Sequence, residues 1–310
     1  MELNFTDGEQ IAYVEQTAKP KYIYVKNKND GGDEKKTNFD SDEVSSILEE
    51  VIRNTKGRIT NKSIEQLAEA LKKNDPTLIK SDVLRKVYDD VKTKGNVSGK
   101  DSVVVKDGGV VPCYDKNVER KVSYIAGMSG SGKSTIASKM IYNYHKTFPN
   151  NRVILFSNKP EDPALDKHKF LIRAVLDEEL YTDPFTLEDI RDTLIIYDDV
   201  EYIKDKEINN ELDRLRDLIL QQGRSYHISF LYICHQLTNY RNTRIILNEM
   251  MECIIFPTLT TTYSLKYLTE KYYGMNKNEL MKLKSLPSRY VCLRKLPPCV
   301  IYDKGAYLID

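Results

Sequence analysis

The sequence predicts an α/β protein with a central, mainly parallel sheet, preceded by a smaller and mainly helical N-terminal domain. Two observations lead to this prediction. A phosphate-loop pattern, G-x-x-x-x-G-K-S, lies between an apolar run and a helical pattern within residues 121–135. From about residue 116 onward, apolar runs of strand length alternate with helical patterns, which is typical of parallel strands joined by crossover helices. We therefore expect a flexible segment with short strands over 1–40, a small helical domain over 41–115 and the α/β domain over 116–310.

The composition is that of a globular protein without a strong bulk charge. The chain has 310 residues, of which 40% are hydrophobic, and a formal net charge of +1. Only local clustering of charge could favour nucleic acid or a membrane surface. The chain contains no apolar run of 18 residues and does not start like a signal peptide, so we expect no membrane span and no secretion. We expect buried thiols in a reducing interior rather than a zinc site at Cys113, Cys234, Cys253, Cys292 and Cys299.

The first 115 residues carry weaker patterns. Short β-like runs at 11–14 and 22–25 precede a polar tract over 26–40, which we interpret as a linker. Three helical patterns and two extended runs follow, at 44–52, 64–71, 83–91, 103–106 and 109–113. This order fits a winged helix-turn-helix, and it also fits a helical adaptor that contacts neighbouring subunits or a partner protein. Both interpretations remain open.

The phosphate loop is expected to surround the phosphates of a nucleotide. Its glycines allow a tight turn with backbone N–H groups pointing inward, and the helix N-terminus adds partial positive charge. Lys133 adds a full charge, and Ser134 is placed to give its hydroxyl to Mg²⁺. The binding residues are Gly127, Met128, Ser129, Gly130, Ser131, Gly132, Lys133, Ser134 and Thr135.

Two aspartates end a later buried strand. The apolar run 194–197 leads directly into Asp198 and Asp199, which is the Walker B arrangement. In that arrangement the first aspartate holds Mg²⁺ through water and the second polarises the attacking water. The alternative for Asp199 is a cap of the turn after the strand. The earlier run 158–161 resembles the guanine-reading N-K-x-D, but its last position is wrong and it lies too early in the chain for a GTPase.

A further apolar run at 228–234 ends at His235 and Gln236. In an open parallel sheet the ligand lies outside the carboxyl ends of the strands, so we expect Gln236 to face the γ-phosphate and to sense its presence. A structural role is favoured for His235. Arg224 follows a helical pattern and Gly223, and is expected on an exposed turn.

Taken in order, these motifs resemble the genome-packaging ATPases of large DNA viruses, the poxvirus-type branch of the FtsK–HerA lineage. The resemblance covers roughly residues 116–260 and rests on the phosphate loop, the aspartate pair, the Gly-Arg before the next strand and the glutamine that ends it. It implies a RecA/FtsK-like P-loop NTPase core with ATP and Mg²⁺ as cofactors. It assigns Mg²⁺ to Ser134 and Asp198, and catalysis to Lys133, Asp199, Gln236 and Arg224.

In this family Arg224 would be an arginine finger acting on the neighbouring subunit. The sequence departs from the family with Ser225-Tyr226-His227 where a histidine usually follows the arginine directly, which leaves Arg241 and Arg244 as other candidates. The resemblance further implies a homo-oligomeric ring around double-stranded DNA without sequence preference. Capsid or membrane-associated virion proteins are further candidate partners, and the expected location is the host cytoplasm at virus assembly sites.

Three functions stay open: a DNA-translocating ring ATPase that packages a viral genome, a nucleotide or small-molecule kinase, and a non-translocating P-loop regulator. Kinases usually carry an arginine-rich lid, and none is evident between residues 199 and 236. The segment 257–300 is unusually basic, since its acidic residues are Glu270 and Glu279 alone. We expect it to contact DNA phosphates, and the alternative is a solvated face. Its basic residues are Lys266, Lys271, Lys277, Lys282, Lys284, Arg289, Arg294 and Lys295.

Overall fold

A computed structural model describes residues 1–15, 21–27, 61–73, 76–79, 101–238 and 240–309, with the single residues 48, 81, 84, 85 and 88. The chain divides into two compact units. One comprises Met1, residues 3–26 and residues 101–310, and the other comprises Glu2 and residues 27–100. No helix among the described residues is long and apolar enough to cross a membrane.

The larger unit is an α/β structure built on a ten-stranded sheet, as the sequence predicts. The strand order is β4-β14-β13-β12-β11-β6-β10-β9-β7-β8, and a separate four-stranded sheet has the order β1-β3-β2-β5. The strands are β1 (Glu2–Asn4), β2 (Glu9–Val14), β3 (Lys21–Lys26), β4 (Ser102–Val104), β5 (Val110–Pro112), β6 (Val122–Ala126), β7 (Arg152–Ser157), β8 (Leu171–Arg173), β9 (Thr193–Asp198), β10 (Ser229–Cys234), β11 (Glu252–Ile255), β12 (Val291–Lys295), β13 (Pro298–Tyr302) and β14 (Gly305–Leu308).

Neighbouring strands are parallel from β8 through β7, β9, β10 and β6 to β11. From β11 through β12, β13 and β14 to β4, each strand is antiparallel to the next. Phe230 of β10 lies opposite Val122 of β6 on one side and Ile195 of β9 on the other. The strand β10 therefore separates the phosphate-loop strand from the strand that ends in the aspartate pair. Strands β12 and β13 pair antiparallel as a hairpin.

Helices of the larger unit cover both faces of its ten-stranded sheet. The described helices of the chain are α1 (Asn61–Lys73) in the smaller unit and, in the larger, α2 (Lys133–Thr147), α3 (Pro163–Asp166), α4 (Glu179–Thr182), α5 (Lys206–Gln222), α6 (Tyr240–Glu249), α7 (Thr262–Tyr273) and α8 (Lys277–Ser285). Successive strand residues belong to different cores, because side chains alternate between the two faces. In β10, for example, Phe230 packs in the core that includes α5, whereas Leu231 packs in the core that includes α2. All five cysteines are buried and free, as predicted.

The two extended runs before residue 115 do not form a wing of the helical unit. Strand β4 pairs with β14, and β5 pairs with β2, so both lie in the sheets of the larger unit. This grouping differs from the predicted boundary after residue 115. The physical reason is that each run is too short to be stable alone and completes a sheet edge formed by distant parts of the chain.

The smaller unit contains α1 and a 3₁₀ turn at Pro76–Leu78. Its described core joins Leu67, Ala70 and Leu71 of α1 to later apolar residues, which are Ile79, Leu84 and Tyr88. Helix α1 includes the second helical pattern, at 64–71. Residues 28–40 of the predicted linker over 26–40, most of the first predicted helix and most of the third lie outside the described residues.

Candidate functional site

The phosphate loop connects β6 to α2 at the carboxyl edge of the parallel strands. Gly130 and Gly132 adopt φ values of 74° and 110°, which only glycine adopts without strain. At Gly127 a Cβ would lie 2.6 Å from the ring of Phe256 and 2.8 Å from Ser131 Oγ, so the backbone passes too close for any side chain. Gly132 precedes α2 and caps it without a side-chain hydrogen bond. The first N–H groups of α2 are therefore open to an anion.

Lys133 lies buried inside this loop. Its Nζ donates to Gly127 O at 2.8 Å and stands 3.3 Å from His235 Nδ1. Burial lowers the pKa of Lys133, and the nearby carboxylate of Asp199 raises it in part. The ammonium is thus held at the centre of the loop, where a phosphate would meet it.

Ser134, the next residue, donates its hydroxyl to Asp162 Oδ2 at 2.8 Å. Asp162 also caps α3, because its other oxygen accepts from Ala164 N at 2.9 Å. A Ser134 hydroxyl that donates its proton to a carboxylate keeps its lone pairs available to a cation. Sequence reasoning missed Asp162, although Asp162-Pro163 is a recognisable helix-start signal.

Asp198 is the last residue of β9 and is fully buried. Its Oδ2 accepts from Ser157 Oγ at 3.1 Å and forms an ion pair with Lys159 Nζ at 3.2 Å. Burial raises the pKa of Asp198, and the positive charge of Lys159 acts in the opposite direction. The carboxylate predicted to serve Mg²⁺ therefore faces the phosphate-loop edge of the sheet with a cation already beside it.

Asp199 adopts φ 53°, in the left-handed region. This turn directs its Oδ2 towards Lys159 Nζ at 2.7 Å and His235 Nε2 at 3.2 Å. Its Oδ1 is buried and finds no hydrogen-bond partner among the described residues. The alternative role for Asp199, a side-chain cap of the 3₁₀ turn at Val200–Tyr202, is not observed, since the cap position shows no side-chain hydrogen bond.

His235, and not only Gln236, faces this site. One ring nitrogen contacts the ammonium of Lys133 and the other contacts the carboxylate of Asp199. Because an ammonium can only donate, Nδ1 must accept and Nε2 must carry the proton that is donated to Asp199. The side chain of Gln236 is exposed, and its backbone carbonyl accepts from Tyr124 Oη and from Cys234 Sγ. The ring of His235 therefore points into the site, where it lies between Lys133 and Asp199.

Lys159 and Glu201 also join the site without having been predicted. Burial works against the charge of Lys159, but its contacts with Asp199 and Asp198 outweigh burial and raise its pKa. Burial raises the pKa of Glu201, and one of its oxygens is buried without a partner among the described residues. The sequence signal for Lys159 was the run 158–161, which had been considered only as a guanine-reading motif.

Arg289 supports the phosphate loop from outside. Its Nε donates to Ser131 O and its Nη2 to Gly130 O, both at 2.8 Å. Holding these carbonyls outward favours the orientation in which the loop N–H groups point inward. Arg289 had been grouped with residues expected to contact DNA, and here it contacts the chain's own backbone.

Two other members of that basic segment are also engaged inside the molecule. Arg294 is almost fully buried and pairs with Glu9 at 2.6 Å, and Lys295 donates to the carbonyls of Leu247 and Asn248. Three of the eight basic residues of the segment are therefore engaged within the chain, and the contact of this segment with DNA stays a prediction. Five lysines of the segment are exposed, and these are Lys266, Lys271, Lys277, Lys282 and Lys284.

Arg224 lies at the opposite end of the sheet. It belongs to the 3₁₀ turn that precedes β10, it is 78% exposed, and its Nε donates to Glu119 at 3.0 Å. The six residues of β10 separate it from the site by roughly 20 Å, so Arg224 cannot reach the nucleotide of its own subunit. The exposed Arg244 lies on α6, which begins beyond the carboxyl end of β10, and the side chain of Arg241 lies outside the described part.

The oxygen donors at this edge fit Mg²⁺, which binds carboxylates, hydroxyls and phosphate oxygens. Ser134 and Asp198 supply the hydroxyl and the carboxylate, and the unpartnered Oδ1 of Asp199 is a further acceptor. Among the described residues no three His, Cys, Asp or Glu side chains form a metal site by themselves. A cation bound here would therefore depend on ligands that a nucleotide brings.

The fold and this edge together define a P-loop NTPase core. No family model matches the chain. The chain is 36% identical over 211 residues to the uncharacterized protein V3 of Sputnik virophage, covering 67% of this chain and 84% of that protein. The chain belongs to the same family as that protein.

Solved structures offer more distant similarities. The genome packaging NTPase B204 of Sulfolobus turreted icosahedral virus 2, in complex with AMP, matches 60% of this chain and 98% of its own at 14% identity and TM-score 0.43. The cytoplasmic domain of the Thermomonospora curvata type VII secretion ATPase EccC matches 67% of this chain and 29% of its own at 17% identity and TM-score 0.43. The pCW3 conjugation coupling protein TcpA matches 68% of this chain and 67% of its own at 15% identity and TM-score 0.42. Similarity at this level supports no functional conclusion.

Proposed function

We propose that the protein is an ATPase that requires Mg²⁺ and uses ATP hydrolysis to move double-stranded DNA during the packaging of a viral genome. One observation supports the ATPase activity. His235 lies between Lys133 and Asp199, with Nδ1 3.3 Å from Lys133 Nζ and Nε2 3.2 Å from Asp199 Oδ2, beside the N-terminus of α2. A cation for phosphates and a buried carboxylate that can orient water are groups that phosphoryl transfer to water uses, and the histidine between them links the two.

Each residue has a distinct task in this proposal. Lys133 turns from the loop carbonyls to the β- and γ-phosphates, and the N–H groups of the phosphate loop bind the same oxygens. Ser134 and Asp198 would hold Mg²⁺, which would neutralise charge on the phosphates. Asp199 accepts a hydrogen bond from the attacking water and orients it in line with the γ-phosphate. We assign to His235 and Gln236 the task of sensing whether that phosphate is present, and the contacts of His235 with Lys133 and Asp199 support its part in it.

Two observations support the assembly part of the proposal. Arg224 is exposed and far from its own site, so a role in hydrolysis requires a neighbouring subunit, as in a homo-oligomeric ring. Exposed lysines on α7 and α8 offer charges suited to a DNA backbone that is held without reading bases. The relative from Sputnik virophage and the sequence resemblance to packaging ATPases favour a viral role, at assembly sites in the host cytoplasm and with capsid or membrane-associated virion proteins as partners.

The experiment is ATP hydrolysis by the full-length protein with and without duplex DNA, together with a mass measurement in ATP. We expect Mg²⁺-dependent hydrolysis, an oligomer in ATP, and stimulation by DNA that weakens with salt at a slope near −0.9 per neutralised phosphate. Charge reversal of Lys282 and Lys284 should flatten that slope and leave DNA-free hydrolysis unchanged. Hydrolysis that DNA never stimulates, in a monomer, would refute translocation, and transfer of phosphate to a small acceptor would indicate a kinase.

A further inference from the structure

The loop between β7 and α3 engages both groups that were assigned to Mg²⁺. At one end, Lys159 Nζ lies 3.2 Å from Asp198 Oδ2 and 2.7 Å from Asp199 Oδ2. At the other end, Asp162 accepts the hydroxyl of Ser134 at 2.8 Å. The same short loop thus places the ammonium of Lys159 beside the aspartate pair and the carboxylate of Asp162 beside the hydroxyl of Ser134.

The aspartate pair needs such a charge. Asp198 is fully buried and Asp199 is 4% exposed, and two adjacent carboxylates out of water are unstable unless a cation compensates them. Among the described residues, the cationic side chain that pairs with both carboxylates is that of Lys159. A lysine ammonium is a compact point charge, as a metal ion is, and it can take the place of one.

The geometry also allows the ammonium of Lys159 to move away from the two carboxylates without disturbing the fold. Its backbone carbonyl is held by Arg173 Nη1 at 2.8 Å, and Arg173 is fixed in turn by Asp166 at 2.6 Å. The side chain of Lys159 is 38% exposed, so one side of its flexible stem faces solvent. The ammonium can therefore swing away while the loop backbone stays in place.

We propose that Lys159 is a resident counter-ion of Asp198 and Asp199, which a divalent cation must displace when nucleotide binds. This inference rests on the proposed nucleotide site. Without nucleotide, the ammonium competes with the metal and keeps it off the pair. With nucleotide, phosphate oxygens supply additional ligands, and the exchange becomes favourable. Metal occupancy is thereby coupled to nucleotide occupancy.

The test measures Mn²⁺ binding to the full-length protein without nucleotide, from the electron paramagnetic resonance signal of free Mn²⁺. We expect weak binding by the wild type and binding at least about tenfold tighter by Lys159→Met, which keeps the stem and removes the charge. Lys167→Met is the matched control, since Lys167 is exposed just after α3, and it should bind Mn²⁺ as the wild type does. Equal Mn²⁺ affinity in the wild type and Lys159→Met would overturn the proposal.

Lys159→Arg keeps the ion pair and tests the inference if the methionine variant does not fold. A guanidinium binds carboxylates through two hydrogen bonds, so this variant should need several-fold more Mn²⁺ than the wild type in the presence of a non-hydrolysable ATP analogue. An unchanged Mn²⁺ requirement would count against displacement. Neither measurement depends on turnover. A protein that shows both Mn²⁺ shifts yet never hydrolyses ATP would refute the proposed function and leave this inference standing.

Discussion

Replacing Asp199 by asparagine tests the proposed chemistry with little structural change. Asp199 adopts φ 53°, and asparagine tolerates that left-handed backbone as well as aspartate does. The amide oxygen can still accept from His235, and Lys159 keeps its contact with Asp198. The substitution therefore removes one negative charge and little else.

The expected magnitudes differ sharply between stability and turnover. The lost ion pair joins Asp199 to a lysine that is 38% exposed, so the stability cost should not exceed about 1 kcal/mol, or roughly 2–4 °C in Tm. A carboxylate that orients and polarises the attacking water contributes about 10²- to 10⁴-fold, which corresponds to roughly 3–5 kcal/mol in the barrier. We expect turnover to fall by that factor while ATP binding stays within about threefold of wild type.

The chain offers a matched control at the other end of the same strand. Asp192 has φ 52°, precedes β9, and pairs with His227 at 3.0 Å on the surface. Asp192→Asn should leave turnover unchanged. The measurements are steady-state hydrolysis at saturating Mg²⁺–ATP, titration of a fluorescent ATP analogue, and thermal unfolding. If Asp199→Asn hydrolyses ATP at the wild-type rate, or melts far below Asp192→Asn, the assignment of Asp199 to catalysis is wrong.

Three further predictions concern the phosphate-loop lysine, the histidine beside it and the exposed Arg224. Lys133→Met removes the charge that meets the phosphates, so binding of a fluorescent ATP analogue should be lost, and retained affinity would exclude Lys133 from the site. His235→Ala should reduce kcat more than Gln236→Ala, because His235 joins Lys133 to Asp199, whereas the opposite order would return the sensing role to Gln236. Arg224→Ala should lower turnover by about 10³- to 10⁵-fold if it acts on a neighbouring subunit. Mixing it with Lys133→Met should then restore part of the activity, and inactive mixed oligomers would argue against action in trans.

Local patterns in the sequence were sufficient to predict the centre of the larger unit. Strands β6, β9 and β10 are buried at every position and mostly apolar, because both faces of a parallel sheet are buried, and the apolar runs are readable without a structure. The short strands at the start of the chain could not be placed in this way. Strand β5 pairs with β2, roughly a hundred residues earlier, and no local pattern records such a partner.

The residues of the site also fall into two groups, those that local patterns predict and those that they do not. The residues of the phosphate loop and the aspartate pair follow from spacing, whereas Lys159 and His235 lie in loops after strands, where the alternation of side chains has ended. Which of two successive loop residues turns inward depends on packing, so sequence reasoning chose Gln236 over His235. The count of basic residues in the segment 257–300 included Arg294 among those expected to contact DNA. Its ion pair could not be predicted from the segment, because its partner Glu9 lies near the other end of the chain.

The charged groups of the site are held by partners within the chain. Lys133 is bound to loop carbonyls, and Asp198 and Asp199 are bound to Lys159. A ligand must replace both sets of contacts, because a buried charge that loses its partner costs several kcal/mol, of order 3–5 when an ion pair is broken. ATP without a divalent cation would satisfy Lys133 but bring negative phosphates towards two carboxylates. Under the proposed function, a triphosphate that carries a cation would satisfy both sides, and we therefore expect the internal ion pairs to favour binding of the metal complex over free ATP.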